Sequence, residues 1–143
     1  MKVANILKHK GADVFAVVSS DSVAEAVSVL NERNIGAVIV KDEGGAIAGI
    51  LSERDVVRKL GFKGTSVMSM PVSECMTPSP YTCTPEATVN EVMEEMTQKR
   101  IRHLPVMDGG RIVGVVSIGD VVKRKISLAE EEAKALKDYI TAS

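Results

Sequence analysis

Two short runs bring together residue types that can hold a sugar or an anion. Gly49-Ile50-Leu51-Ser52-Glu53-Arg54-Asp55 and Gly114-Val115-Val116-Ser117-Ile118-Gly119-Asp120 each carry an apolar stretch straight into Ser-x-x-Asp. Read as a strand entering a helix, the pattern has a local role. The serine is the N-cap, and the aspartate complements the exposed amides and the positive end of the dipole. The same junction presents free N–H groups to an anion. Its carboxylate can accept both hydroxyl protons of a ribose diol, and its serine can share a hydroxyl with sugar or phosphate. One copy reads as a cap; two copies at matching places favour a ligand role as well.

Cations gather in a second run, Lys99-Arg100-Ile101-Arg102-His103. Lys99 and Arg100 suit a helix C-terminus, where positive charge meets the last carbonyls. Arg102 and His103 open the next strand, and the first half has the small, neutral Gly36 and Ala37 in their place. Arg54 and Arg58 add positive charge near the first Ser-x-x-Asp. If the two halves face each other, these cations converge on one shared anionic group, which guanidinium grips bidentately. Such a group could draw on Arg54, Arg102 and His103. Catalysis finds little support. There are two histidines, His9 and His103, in no metal-ligand spacing with Cys75 or Cys83. Ser52 and Ser117 lack a Gly-x-Ser-x-Gly elbow, and no Walker A or Gly-x-Gly-x-x-Gly run is present. The two thiols read as buried or idle, and the seven methionines as core filler. No catalytic residue and no metal site is expected.

The elements that position these residues come as a duplication. Ser22-Val-Ala-Glu-Ala-Val27 lies on Thr88-Val-Asn-Glu-Val-Met93 at an offset of 66 (88 minus 22), and Leu30, Ile35, Val40 and Asp42 find Met96, Ile101, Val106 and Asp108. After one extra residue in the first copy, Gly49–Ser52 lies on Gly114–Ser117. Each copy reads as a βαββα unit. The expected strands are Val14–Val18, Ala37–Val40 and Ala46–Leu51, then Tyr81–Cys83, His103–Met107 and Arg111–Val116. The expected helices are Val23–Glu32, Glu53–Leu60, Val89–Gln98 and Ile118–Ile126. Ser22 with Glu25, and Thr88 with Glu91, form capping-box patterns. Gly44-Gly45 and Gly109-Gly110 supply tight hairpins. Met1–Lys10 is a short amphipathic helix with Val3, Ile6 and Leu7 on one side. Ser127–Ile140 is a further acidic helix, either a solvated tail or a surface that packs on a partner subunit. The domain reading is residues 1–62 as the first repeat, 63–71 as a linker, 72–126 as the second repeat and 127–143 as the C-terminal helix. A unit of about 60 residues buries little surface alone, so the two copies are expected to pack around a pseudo-twofold axis, leaving two related clefts.

The bulk numbers agree with a compact α+β protein. The 143 residues are 45% apolar, 26% charged and only 3% aromatic, so Val, Ile, Leu, Ala and Met must build the core. A net charge of −1 gives no global attraction to nucleic acid or an anionic membrane. RNA or DNA binding through Lys99–His103 would want a wider basic face with stacking aromatics. No apolar run approaches the ~20 residues of a membrane span, and no secretory signal is seen, so a reducing cytoplasm is expected.

The Gly-apolar-apolar-Ser-x-x-Asp runs, with Ile101-Arg-His-Leu-Pro-Val-Met-Asp108, resemble the tandem CBS-domain pair (the Bateman module) from Val3 to Ile126. The whole is similar to the small stand-alone bacterial and archaeal members. The resemblance implies a non-catalytic regulatory module that takes an adenosine compound such as AMP, ATP, NAD or S-adenosylmethionine in its clefts and requires no cofactor. It implies ribose binding by Asp55 and Asp120 with Ser52 and Ser117. Adenine would lie among Val18, Ser19, Ile35, Ala37 and Val38 in the first copy. In the second it would lie among Thr82, Thr84, Ile101, Leu104 and Pro105. It further implies a homodimer and an unidentified regulated protein that reads the ligand state. The competing reading is a structural or dimerisation module with degenerate clefts. Ile39 stands opposite Pro105, and no basic residue lies near Gly36, so unequal sites are expected.

Overall fold

Residues 1–142 are described in the computed structural model. Helix α1 spans Val3–Lys10, and the first repeat follows as β1 (Ala16–Val18), α2 (Val23–Arg33), β2 (Ala37–Lys41), β3 (Ile47–Ser52) and α3 (Glu53–Lys63). The second contains α4 (Val89–Lys99), β5 (His103–Asp108), β6 (Arg111–Ser117) and α5 (Ile118–Ala142). Between them lie two 3₁₀ segments, Gly64–Ser69 and Val72–Glu74, and a two-residue strand β4 (Thr77–Pro78).

The duplication extends to single backbone bonds. The Ser22 and Thr88 hydroxyls accept from the Glu25 and Glu91 N–H groups at 3.2 and 3.1 Å, which caps α2 and α4. Both helices stop at a left-handed residue, Asn34 (φ 53°) and Arg100 (φ 54°). The hairpins pair Ala37 with Ser52 and His103 with Ser117, and each slips register at one place, Val40/Lys41 and Val106/Met107. Glu53 N–H then donates to Gly36 O at 2.9 Å, and Ile118 N–H to Arg102 O at 2.8 Å. These last bonds fix each closing helix against the residue that precedes the middle strand.

The chain divides into two compact units. One is Asp13–Thr82. Its sheet has the order β1-β2-β3-β4, with β1 and β2 parallel and the rest antiparallel. Val23, Ala26, Leu30, Val38, Val40 and Leu51 form its core, and Val67 and Val72 of the 3₁₀ segments are buried with them. The other unit joins Met1–Ala12 to the chain from Cys83 onward. Here Val3, Ile6 and Leu7 of α1 pack with Val89, Val92, Met96, Leu104, Val106, Val116 and Val121. The amphipathic side of α1 is thus buried, and it serves the second repeat's core.

Three expectations change. No strand forms over Tyr81–Cys83. Cys83 alone bridges Val106 in parallel fashion, donating to Pro105 O at 3.0 Å and accepting from Met107 N–H at 2.8 Å. Pro80 and Pro85 bracket it, and proline cannot extend a ladder. Instead Thr77–Pro78 pairs antiparallel with Gly49–Ile50 of β3. The last two helices are one: α5 runs 25 residues without a break. Nothing at Ser127 stops it, since no Gly or Pro occurs there. Within the first hairpin only Gly45 has a positive φ (85°), whereas Gly109 and Gly110 both do (59° and 79°). The extra residue in the first turn removes the need at Gly44.

Candidate functional site

Each Ser-x-x-Asp sits where a strand end becomes a helix start. In the first repeat Ser52 caps α3, and the Asp55 carboxylate turns back to accept from the Ser52 N–H (2.9 Å) and Ser52 Oγ (3.0 Å) through Oδ2. Ser52 Oγ in turn accepts from the Asp55 N–H at 3.2 Å. In the second repeat the Ser117 N–H donates to Asp120 Oδ2 at 2.8 Å, and Ser117 Oγ accepts from the Asp120 N–H at 3.1 Å. The reciprocal cap is therefore built in both copies. It orients each carboxylate at the positive end of a helix, where negative charge is favoured. All four side chains are half-buried.

What differs is the donor that arrives from elsewhere. Thr77 Oγ1 donates to Asp55 Oδ1 at 3.1 Å. Asp120 instead receives the ammonium of Lys10, at 2.7 Å from Oδ2, and the same Nζ donates to Val115 O at 2.9 Å. The backbone explains the placement. Gly49 of β3 lets Thr77 O and the Met76 side chain approach so closely that a Cβ would stand 2.5 Å from that oxygen. The matching Gly114 of β6 lets Leu7 in, with a Cβ standing 2.6 Å from its Cδ2. So the segment that covers the closing strand also delivers the donor, a neutral hydroxyl from Thr77 in one unit and the Lys10 cation, three residues after Leu7, in the other. Neither Lys10 nor Thr77 stands out in the sequence.

These contacts set the acidity of Asp120. Burial pushes its carboxyl up, but the Lys10 ammonium and the Ser117 N–H and hydroxyl outweigh it and hold the group below the ordinary aspartate value. A lowered folded value means stability that is complete above the ordinary pKa and is lost as pH falls through the depressed one. Asp120→Asn should therefore make the acid limb of stability shallower at pH values below the ordinary aspartate pKa. Urea midpoints across that range check it, and an unchanged slope would refute it.

The other sequence-expected residues fall as follows. Arg54 is exposed on the first turn of α3; Arg102 is exposed just before β5; His103 is half-buried at the start of β5, paired with Ser117. In the first unit Val18 ends β1 and Ser19 follows it, Ser19 N–H bonding Lys41 O at 2.8 Å. Ile35 precedes β2, and Ala37 and Val38 on that strand pair with Ser52 and Leu51. In the second, Leu104 and Pro105 are buried on β5, Ile101 precedes that strand, and the exposed Thr84 follows Cys83. Thr82, also exposed, ends the first unit. Within each unit the junction serine closes a strand paired with the one that carries Ala37 and Val38, or Leu104 and Pro105, and the aspartate follows on the first turn of the next helix. Cys75 and Cys83 are both buried and unpaired with each other. Burial, with Glu95 nearby, pushes the Cys83 thiol up to about 11, which keeps it protonated and unreactive near neutrality.

Both repeats carry a helix, a two-stranded hairpin and a closing helix, the hairpin ending in a capped Ser-x-x-Asp, preceded by strand β1 in the first copy and by the single Cys83 bridge in the second. The chain belongs to the CBS-domain family: the family model for the CBS domain matches residues 3–61 and 72–127. It is 37% identical over 146 residues to the mitochondrial CBS domain-containing protein CBSX3 of Arabidopsis thaliana, covering 96% of this chain and 71% of that protein. Among solved structures, the CBS-domain protein ATU1752 from Agrobacterium tumefaciens matches with a TM-score of 0.84 and 40% identity, over 87% of this chain and 92% of that one. The CBS pair of protein MJ0100, solved in complex with 5′-methylthioadenosine and S-adenosyl-L-methionine, matches with a TM-score of 0.75 and 27% identity. That match covers 86% of this chain and 98% of the other. CBS pairs are regulatory modules, and some bind adenosine compounds. Among the described residues, no helix is long and apolar enough to cross a membrane.

Proposed function

We propose that the chain is a non-catalytic regulatory module that binds an adenosine nucleotide, AMP, ATP or NAD in type, at its Ser-x-x-Asp junctions. Asp55 and Asp120 take the ribose hydroxyls, with Ser52 and Ser117 beside them. The observation that carries this reading is the twice-built junction, where a carboxylate is held at a helix start by a strand-end N–H. A pure cap needs only the serine and the helix amides; two carboxylates locked in one orientation are also ready acceptors for a diol. Adenosine ligands on the similar pair of MJ0100 support the same class. Arg54, Arg102 and His103 supply cations for the phosphate end. Ligand binding stabilises one arrangement of the module, and a partner protein reads that shift, which is limited by the ligand's differential affinity.

A homodimer belongs to the proposal. Val57, Leu60 and Phe62 of α3 are exposed, Phe62 to 88%, as are Val122 and Ile126 of α5. Such residues also favour the second reading, in which association is the only role. A thermal-shift screen against AMP, ADP, ATP, NAD and S-adenosylmethionine, with GTP as control, separates the two. A ligand that binds the folded state raises the melting temperature by mass action. A rise with adenine compounds and none with GTP is expected; no rise with any of them leaves the association module.

A further inference from the structure

Lys10 holds the carboxylate that the proposed ribose site needs. It comes from the last turn of α1, it lies 2.7 Å from Asp120 Oδ2, and its second bond, to Val115 O, fixes the ammonium over the end of β6. A ribose diol cannot use that oxygen without competing with the ammonium. Displacing it breaks the ion pair and leaves the exposed ammonium only Val115 O and water, a loss that a ligand bringing its own anion makes good. A lysine side chain is a long, flexible point charge that can swing to a 5′-phosphate once the sugar is seated. The first repeat has no such competitor, since Thr77 offers Asp55 only a neutral hydroxyl.

The geometry points to Lys10 as a specificity-determining residue that makes the second-repeat site reject neutral nucleosides and accept anionic nucleotides, by exchanging its partner from Asp120 to the ligand phosphate. This rests on the nucleotide-binding reading above and goes beyond it in assigning a role to α1. Lys10 then also makes the two sites unequal: occupancy at Asp120 is favoured by a phosphate, whereas Asp55 accepts adenosine and AMP more evenly.

Calorimetry with adenosine and AMP tests it in a protein whose first site is weakened by Asp55→Ala. With Lys10 in place, AMP should bind well and adenosine weakly. Lys10→Met keeps the stem and removes the charge. It should tighten adenosine and weaken AMP, so that the ratio of their affinities falls about threefold to tenfold, in keeping with one charge-assisted contact. Lys10→Arg should restore the preference for AMP. A purely structural role for α1 would weaken both ligands together, and an unchanged ratio or a parallel loss in Lys10→Met overturns the assignment. If the protein with Lys10 and Asp55 intact binds neither compound, the nucleotide reading itself falls, a distinct result.

Discussion

Asp120→Ala should weaken AMP binding at the second-repeat site by about 1–3 kcal/mol, roughly 5- to 150-fold. The estimate follows from charge-assisted bonds between a carboxylate and two ribose hydroxyls, which are stronger than neutral ones. The carboxylate's own partners shape the outcome. Ser117 N–H loses its acceptor and Lys10 loses its ion pair, so apo stability also falls, by about 1 kcal/mol as for other lost helix caps. Isothermal calorimetry reads affinity and thermal unfolding reads stability, which keeps the two effects apart. Asp55→Ala should act likewise on the first site, and the double variant should be weakened at both. If both single variants and the double variant hold AMP as tightly as the parent, the ribose assignment is lost.

Much of this arrangement was legible in the sequence because it is local. A Ser three residues before an Asp, after an apolar run and before a helical pattern, dictates its own cap, and the observed bonds at Ser52–Asp55 and Ser117–Asp120 follow from that spacing. The repeat offset foretold that both copies would do the same. Contacts across long separations were not legible. Lys10 meets Asp120 across 110 residues, and as a lysine in the last turn of a short helix it reads simply as a cation favoured by the dipole. Thr77 meets Asp55 across 22 residues from a strand of two residues that ends in proline, too short for any alternation to announce it. The continuity of α5 was missed for the opposite reason. Two amphipathic segments were joined without a breaker, and a serine inside a helix looks like a cap until its neighbours are seen.

The glycine pair that admits these distant donors allows a sharper test of how fold and site are joined. Gly49→Ala should destabilise the first repeat by about 1–3 kcal/mol, the usual cost of overpacking. Its new Cβ would stand 2.5 Å from Thr77 O and 2.8 Å from Met76 Sδ, and a backbone oxygen, unlike a side-chain end, cannot rotate aside while Thr77 stays paired with Ile50. The short β4 strand must move off, taking Thr77 Oγ1 from Asp55. For a chain of this size the melting temperature should drop by roughly 3–12 °C. Gly114→Ala is the contrast: its Cβ would meet Leu7 Cδ2 at 2.6 Å, the end of a side chain that can turn, so the loss should be smaller. Thr77→Val then separates packing from donation, because it removes the hydroxyl bonded to Asp55 and keeps the bulk. If Gly49→Ala and Gly114→Ala melt together with the parent protein, close approach at the closing strand is not what positions these donors. If Gly49→Ala is destabilised while its first site, isolated by Asp120→Ala, keeps full affinity for AMP, Thr77 holds the fold at Asp55 without tuning the site.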